Sequence, residues 1–170
     1  MAADSTTSLI PPESLAMVGE PIGEPVSGTI TLKESQRYAK AVDDLNPLYF
    51  DEDAAKAAGY RTLIAPPTFL AHVVVGHGNV ADLREDGIYR RGGSGRGINL
   101  RVKRVMFGGE EWDFLEPAYV GDTITAQTRL HSLEQKDGGS GPFVLQTTET
   151  TYTNQDGVTV ARARGKSIAR

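Results

Sequence analysis

The residues best suited to acid–base chemistry are gathered in residues 38–69 of the 170-residue chain. This stretch reads YAKAVDDLNPLYFDEDAAKAAGYRTLIAPPTF and carries Asp44, Asn46 and Tyr49 on a loop between helical segments. A carboxylate can accept and return a proton, whereas an amide or a phenol can hold water or substrate by hydrogen bonds. An Asp ahead of Asn-Pro also caps turns in ordinary loops, so the residue types alone leave a structural role for Asp44 open.

Two histidines, His72 and His77, are the other candidates for a proton carrier. They lie five residues apart in the sequence and therefore do not share one face of a helix. No His, Asp and Glu residues have the spacing of metal ligands, so we expect neither a metal nor a cofactor. The chain has no cysteine, which excludes disulfides, thiolate nucleophiles and cysteine-bound metals.

The composition indicates one globular domain of ordinary size. Eighteen basic residues against 22 acidic ones give a net charge of -4, which does not favour nucleic-acid binding. The N-terminus has neither the positive start nor the continuous apolar core of a signal peptide, and no segment approaches the ~20 apolar residues of a membrane-spanning helix. We therefore expect a soluble, cytoplasmic protein without membrane contact.

The N-terminal part of the chain differs in character from the rest. Residues 1–27 are rich in small and polar residues, proline and glycine, and predict a flexible segment. A single domain is expected over residues 28–170. Its first helix, predicted over residues 32–42, follows the capping-box pattern of Thr31 and Glu34, whose side chains bond to free N–H groups at a helix start.

Further local signals place the other helices around the candidate residues. Asn46-Pro47 ends the first helix, because a residue before proline is excluded from helical geometry. A second helix is predicted over residues 53–58, with Gly59 as its left-handed stop. The sequence Pro66-Pro67-Thr68 then opens a third helix, which is apolar on almost every side and is therefore expected to be buried.

The second half of the chain reads as strands separated by turns. Apolar, aromatic and β-branched residues alternate with polar ones in residues 98–107, 109–117, 122–136, 142–154 and 158–170. Helices followed by a run of antiparallel strands indicate an α+β fold, whose sheet needs a cover on its apolar face. The apolar third helix is the natural cover.

The motif stretch resembles that of the MaoC-like (R)-specific enoyl-CoA hydratases and 3-hydroxyacyl dehydratases, Y-A-x-x-x-G-D-x-N-P-x-H-x-D followed by a short helix and I-A-P. The segments EEWDFLEPAYVGDTITAQTRLHSLEQKDG and TETTYTNQDGVTVARARGKSIAR are similar to the FAS1-like dehydratase N-terminal subgroup of that family. The resemblance covers residues 28–170. It implies a hot-dog fold, an antiparallel sheet wrapped around a central helix, paired as a double hot dog with acyl-thioester sites at the junction.

One position of the family's catalytic pair differs in this chain. In the catalytic members an Asp and a His share the proton transfers that add water to the enoyl thioester. The resemblance places Asp44 at the Asp position and Tyr49 at the His position. A phenol titrates near ~10 and is a poor base at neutral pH, so the pair is broken. The resemblance therefore implies the acyl-binding half of a heterodimer, whose MaoC-like partner subunit carries the intact Asp and His.

Two other functions follow from the same resemblance. A homodimeric enoyl-CoA hydratase would use Asp44, with Asn46 orienting the water and Tyr49 or a histidine outside the motif as the second proton carrier. A hot-dog thioesterase would need a carboxylate, Asn or Gln beside the start of the central helix, and it ranks last because the residues there are Pro66, Pro67 and Thr68.

In the family a backbone N–H at the start of the central helix polarises the thioester carbonyl. Pro66, Pro67 and Thr68 are therefore expected to bind substrate.

Basic residues near the start of the strands are candidates for binding the rest of the substrate. Arg101 and Lys103, with Arg104 and the pair Arg90-Arg91 nearby, could meet the phosphates of coenzyme A or the acidic surface of an acyl-carrier protein. A charged edge strand is an equally good explanation of the same residues. The expected ligand is accordingly an acyl-CoA or acyl-carrier-protein thioester.

Overall fold

The computed structural model describes residues 8–75 and 98–170, together with Glu85. Within them, the helices are α1 Pro12–Leu15, α2 Leu32–Ala41, α3 Glu52–Ala57 and α4 Phe69–Val75, and a 3-10 helix at Pro47–Tyr49 separates α2 from α3. The strands are β1 Val26–Thr29, β2 Val105–Phe114, β3 Thr123–Gly138, β4 Gly141–Thr153 and β5 Thr159–Ala169.

The five strands form one antiparallel sheet in the order β1-β3-β4-β5-β2. Alternation along β3 buries Ile124, Ala126 and Leu130 on the inner face of the sheet, as expected for strands with one face in the core. Helix α4 contacts β1 and β3. The sheet therefore curls around a buried helix, and the predicted α+β hot-dog fold is confirmed.

The core lies between α4 and the inner face of the sheet. Phe69 of α4 is fully buried and belongs to one apolar cluster with Ile30, Ile124 and Val160. A second cluster, which includes Leu130 and contains residues from both ends of the chain, lies further along the β3–β4 hairpin. Burial of these side chains supplies most of the favourable free energy of folding.

The described part of the N-terminal segment packs against the sheet. Ile10 and Ile22 are buried in the second apolar cluster. The N–H of Ile22 donates to the carbonyl of Thr128 over 2.9 Å, and β1 begins at Val26. The division of the chain at residue 28 stays a prediction.

The predicted helices are confirmed, with Thr31 and Gly59 at the predicted boundaries. Helix α2, however, already ends at Ala41, before Asn46-Pro47, and Asn46 begins the 3-10 helix instead. The Thr31 hydroxyl accepts the N–H of Glu34 at the start of α2, over 3.3 Å. The carboxylate of Asp51 caps α3 in the same way. Gly59 follows α3 with a φ of +92°, a conformation that glycine adopts without steric cost.

The bounds of the first two of the five predicted strands are wrong. Residues 98–107 and 109–117 contribute one strand, β2, with an irregularity between Phe107 and Gly109. Residues 98–104 are not a strand, although their side chains alternate. The cause is that Val105 already pairs with Ala169, the last residue of β5, so no neighbouring strand is left to bond with the segment before it.

Candidate functional site

The loop after α2 holds the candidate residues by local turn chemistry. Asp43 has a φ of +58°, which turns the chain sharply, and the N–H of Asp44 donates to the carbonyl of Ala39 over 2.9 Å. The side-chain carbonyl of Asn46 accepts the N–H of Leu48 over 3.1 Å and so begins the 3-10 helix. These bonds bring Asp44 and Tyr49 to the same side of the loop.

Asp44 and Tyr49 form a hydrogen-bonded pair. The Tyr49 hydroxyl donates to Oδ2 of Asp44 over 3.1 Å, and the Tyr49 residue is only 4% exposed. Burial, followed by the charge of Asp44 and the hydrogen bond to it, raises the pKa of Tyr49 to about 12, although the Asn46 side chain acts in the opposite direction. At neutral pH the phenol is therefore protonated and acts as a hydrogen-bond donor, not as a base.

This pair predicts a specific dependence of stability on pH. The folded-state pKa of Tyr49 lies above its ordinary value of 10.0, so its stabilisation is fully present below pH 10 and is lost as the pH rises to about 12. Two pKa units correspond to about 3 kcal/mol. Because the phenol is only half ionised at its pKa, we expect the unfolding free energy of the wild type to fall by about 2 kcal/mol more than that of Tyr49→Phe between pH 10 and 12, as measured by urea titration. Parallel losses in both proteins would contradict the buried pair.

An apolar groove of about 250 Å³ lies close to the loop that carries this pair. One segment ahead of α4, the segment from the last residue of β2 onward, and one residue of α4 line it: Tyr60, Ile64, Ala65, Pro66, Pro67, Leu70, Phe114, Leu115, Glu116, Pro117 and Ala118. The N–H of Ile64 donates to the carbonyl of Leu48 over 3.3 Å, and Tyr60 helps to raise the pKa of Tyr49. The groove therefore borders the loop that carries Asp44 and Tyr49.

Backbone hydrogen bonds join the two walls of the groove. The N–H of Ala65 donates to the carbonyl of Ala118 over 2.8 Å, and the N–H of Val120 donates to the carbonyl of Leu63 over 3.0 Å. Such pairing fixes the distance between segments that are more than 50 residues apart in the sequence. The groove is thus a built feature of the fold.

A buried carboxylate holds the turn that follows the second wall. Asp122 is 3% exposed and accepts hydrogen bonds from the Arg61 guanidinium, from the N–H of Tyr119 over 2.9 Å and from Nε2 of Gln155 over 3.1 Å. The Arg61 guanidinium also lies over the Tyr119 ring, 4.1 Å from its centroid. This Asp122 clamp connects the segment after α3 to the start of β3.

The structure places the residues expected to bind substrate in three different surroundings. Pro66 and Pro67 line the groove. The Thr68 hydroxyl shares a 3.0 Å hydrogen bond with the hydroxyl of Tyr38 instead. The exposed His72 stacks against Phe69 with ring centroids 5.4 Å apart, while His77 lies outside the described residues.

Arg101 and Lys103 lie at the other end of the sheet. A guanidinium N–H of Arg101 donates to the carbonyl of Ser8 over 2.9 Å, and the N–H of Lys103 donates to the carbonyl of Arg170 over 3.1 Å. The end of β5 next to Lys103 is separated by about 25 Å of strand from the end that pairs with Phe114 beside the groove. Phosphate binding by these residues stays a prediction, and Arg90-Arg91 lie outside the described residues.

Several groove residues were missed in the sequence. Tyr60, Leu115 and Glu116 carry no motif of their own, and only their meeting across the groove gives them a common role. The one signal was indirect, because an aromatic-rich segment ending in Pro117 is unusual for an exposed strand end. Glu116 is the only charged residue among those that line the described groove.

Two general properties of the described residues bear on function. Among residues 8–75, 85 and 98–170, no three His, Asp or Glu side chains converge where they could hold a metal ion. The same residues include no helix of sufficient length and hydropathy to span a bilayer. The predicted cytoplasmic location stays a prediction.

Fold and site together define the class of this protein. A curled antiparallel sheet surrounds a buried helix, and an apolar groove opens beside the start of that helix. The family described as "FAS1-like, dehydratase domain region" matches residues 16–163. Because this match spans most of the chain, the protein belongs to that family of MaoC-like dehydratases, and the resemblance seen in the sequence is confirmed.

Comparisons with individual proteins agree with this assignment. A probable enoyl-CoA hydratase alpha subunit from Thermomonospora curvata is 30% identical over 163 residues, which cover 90% of this chain and 49% of that protein. The chain spans 61% of the length of other curated relatives that it matches. This chain thus corresponds to only part of the length of these relatives.

Two solved structures share the fold. The ChsH1-ChsH2 complex from Mycobacterium tuberculosis contains a chain that superposes with a TM-score of 0.71 at 18% identity, covering 92% of this chain and 93% of that one. The C-terminally truncated HadBC (3R-hydroxyacyl-ACP dehydratase) complex from the same organism gives a TM-score of 0.64 at 23% identity, with 91% and 97% covered. Both are complexes of two named subunits.

Proposed function

We propose that this chain is the acyl-binding subunit of a MaoC-like enoyl-thioester hydratase or 3-hydroxyacyl-thioester dehydratase. A partner hot-dog subunit with an intact Asp and His would carry out the proton transfers. The observation that carries this proposal is the buried Tyr49 hydroxyl, which donates to Asp44 and has a pKa of about 12. A group that holds its proton so firmly cannot serve as the base that the reaction needs.

The state of Asp44 supports the same assignment. Its Oδ2 already accepts the Tyr49 hydroxyl, and Asn46, which would have to orient the attacking water, uses its side-chain carbonyl to accept the N–H of Leu48. A homodimeric hydratase would need both side chains to turn towards the substrate. The structural bonds they make instead favour a supporting role for this loop.

The groove supplies the binding function of the proposed subunit. Nearly all of its lining side chains are apolar, and burying an acyl chain there would gain roughly 25 cal/mol for each Å² of apolar surface removed from water. The start of α4 borders the same groove through Pro66 and Pro67. We infer that an acyl-CoA or acyl-carrier-protein thioester places its acyl chain in this groove.

The outer edge of β2 supports the presence of a partner. Within the described residues β2 pairs with β5 alone, which leaves its other edge free to add a strand. Phe107 is 76% exposed and Met106 is 47% exposed on this strand. Large exposed apolar side chains at a free edge favour association with another chain. We propose that β2 joins the sheet of the partner hot dog, forming a double hot dog.

The first test measures enoyl-CoA hydration through the loss of the conjugated thioester absorbance. We expect no activity from this chain alone and activity after adding a hot-dog subunit that carries Asp and His. In that complex, Asp44→Asn in this chain should change kcat less than about threefold, whereas the same change in the partner's Asp should abolish turnover. Activity of the isolated chain that is lost with Asp44→Asn would overturn the proposal.

The second test asks whether the groove binds the acyl chain. Leu115→Trp places a larger side chain at the groove, and we expect it to raise KM for a long-chain substrate by about tenfold with little change in kcat. Leu15→Trp is the matched control, because Leu15 is 49% exposed against 47% for Leu115 but lies on α1, outside the groove. Equal effects of both variants, or no effect of either, would contradict acyl binding in this groove.

A further inference from the structure

A second cavity, of about 520 Å³, lies on the outer face of the sheet. Residues on alternate positions of β3, β4 and β5 form its floor, and residues ahead of β1 form its rim: Gly19, Pro21, Gln127, Arg129, Glu149, Thr151, Arg162 and Arg164. Their neighbours in sequence, such as Ala126 and Ala163, point to the core on the other face. The sheet therefore separates this cavity from the acyl groove.

A buried carboxylate fixes two of the three arginines. Strand register places Arg129, Glu149 and Arg164 side by side on neighbouring strands. The Glu149 side chain is 4% exposed, and it accepts Nη2 of Arg129 at one oxygen and Nε of Arg164, over 2.9 Å, at the other. Burial raises the pKa of Glu149, but the bonds from Arg164 and Arg129 outweigh burial and lower it. Glu149 is thus charged and orients both guanidinium groups.

Many N–H donors of these arginines stay available to a ligand. A guanidinium group has five donors, and Arg129 and Arg164 each use one for Glu149, while their side chains are 53% and 42% exposed. The side chain of Arg162 is exposed and makes no ion pair or hydrogen bond with the described residues. The cavity lining carries three positive charges and one negative charge.

Acidic residues on the neighbouring strand leave this excess in place. Glu111 lies next to Arg164 in the register but pairs with Lys166 over 2.6 Å. Asp113 lies next to Arg162 in the register, but among the described residues these two side chains form no ion pair. A positively charged cavity in a chain of net charge -4 is a local feature that the overall composition does not predict.

We propose that this cavity binds a small anion with two neighbouring phosphate groups, a diphosphate-type ligand. Arg162 and Arg164 are two residues apart on one strand, so their side chains leave the sheet about 7 Å from each other and can each hold one phosphate. Planar guanidinium groups bind phosphate by paired hydrogen bonds. The volume of the cavity falls among those of small-molecule sites. This site is independent of the function proposed for the groove.

The test is calorimetric titration of the full chain with inorganic pyrophosphate at low ionic strength. We expect saturable binding that weakens with added salt, and a Kd about tenfold higher for Arg162→Gln. Because the Arg162 side chain has no ion pair or hydrogen bond within the described residues, the urea midpoint of this variant should match that of the wild type. Arg37→Gln, which removes the same charge from an exposed position on α2, should leave the Kd unchanged.

Three results would overturn the proposal. They are a wild type that pyrophosphate does not saturate, an Arg37→Gln variant that weakens binding as much as Arg162→Gln does, and citrate that binds as tightly as pyrophosphate. The first would reduce the three arginines to partners of Glu149 and of solvent. The second would mean general charge attraction, and the third would mean recognition of carboxylates instead of phosphates.

Discussion

Replacing Gly28 by alanine is expected to lower the free energy of unfolding by about 3 kcal/mol or more. A Cβ atom at this position would lie 2.2 Å from the carbonyl oxygen of Val73 and 2.9 Å from its Cγ1. The closest atom belongs to the backbone of α4, so no change of side-chain rotamer can relieve the overlap. Either β1 must leave β3, with which Gly28 pairs at Ile124, or α4 must move away from the core.

Gly139→Ala is the matched control for this substitution. Gly139 lies at the tip of the β3–β4 hairpin, and an added Cβ there would meet no atom within 4 Å. We expect its free energy of unfolding, measured by urea titration, to stay within about 0.5 kcal/mol of that of the wild type. Similar stabilities of the two variants would show that α4 does not approach β1 as closely as the structure places it.

Two helices and one hairpin show which parts of the fold the sequence could predict. The helices α2 and α3 carry their own signals, because Thr31, Asp51 and Gly59 act within one turn of the residues they cap. The β3–β4 hairpin likewise combines alternation with a glycine-rich turn. These features were predicted because their causes are local in the sequence.

Features that depend on distant contacts were not predictable in the same way. Strand β1 has four residues and is defined by pairing with β3, nearly 100 residues later in the chain. Residues 98–104 alternate like a strand but have no partner strand, because β5 ends opposite Val105 and their backbone bonds go only to single residues such as Leu9 and Arg170. Alternation reports the chemistry of a segment, whereas a strand also needs a neighbour.

The candidate site likewise has a part that is local in the sequence and a part that depends on distant contacts. Asp44, Asn46 and Tyr49 lie on one short loop, and the structure brings them together as the motif suggested. The direction of the Tyr49 hydrogen bond and its burial, which argue against a base, depend on the folded surroundings. The groove walls meet through long-range backbone pairing, of Ala65 with Ala118 and of Val120 with Leu63, and Arg101 and Lys103 lie away from them.

The Asp122 clamp joins those walls, and Asp122→Ala is expected to cost about 3 kcal/mol of unfolding free energy. The carboxylate accepts three hydrogen bonds at a position that is 3% exposed, so its removal leaves the N–H of Tyr119 without a partner in a partly buried turn. Arg61→Gln should cost only about 1 kcal/mol, because the Arg61 side chain is 52% exposed and the ion pair is partly solvated.

Urea unfolding of both variants separates these contributions, with Asp113→Ala as the control, because Asp113 is an exposed carboxylate outside the clamp. A loss for Arg61→Gln as large as that for Asp122→Ala would mean that the ion pair, and not the buried hydrogen bonds, holds the turn. In the proposed complex with a catalytic partner, Asp122→Ala should also raise KM, because the wall formed by residues 114–118 ends at this turn. An unchanged KM at reduced stability would show that the backbone pairing of the two walls holds the groove without the clamp.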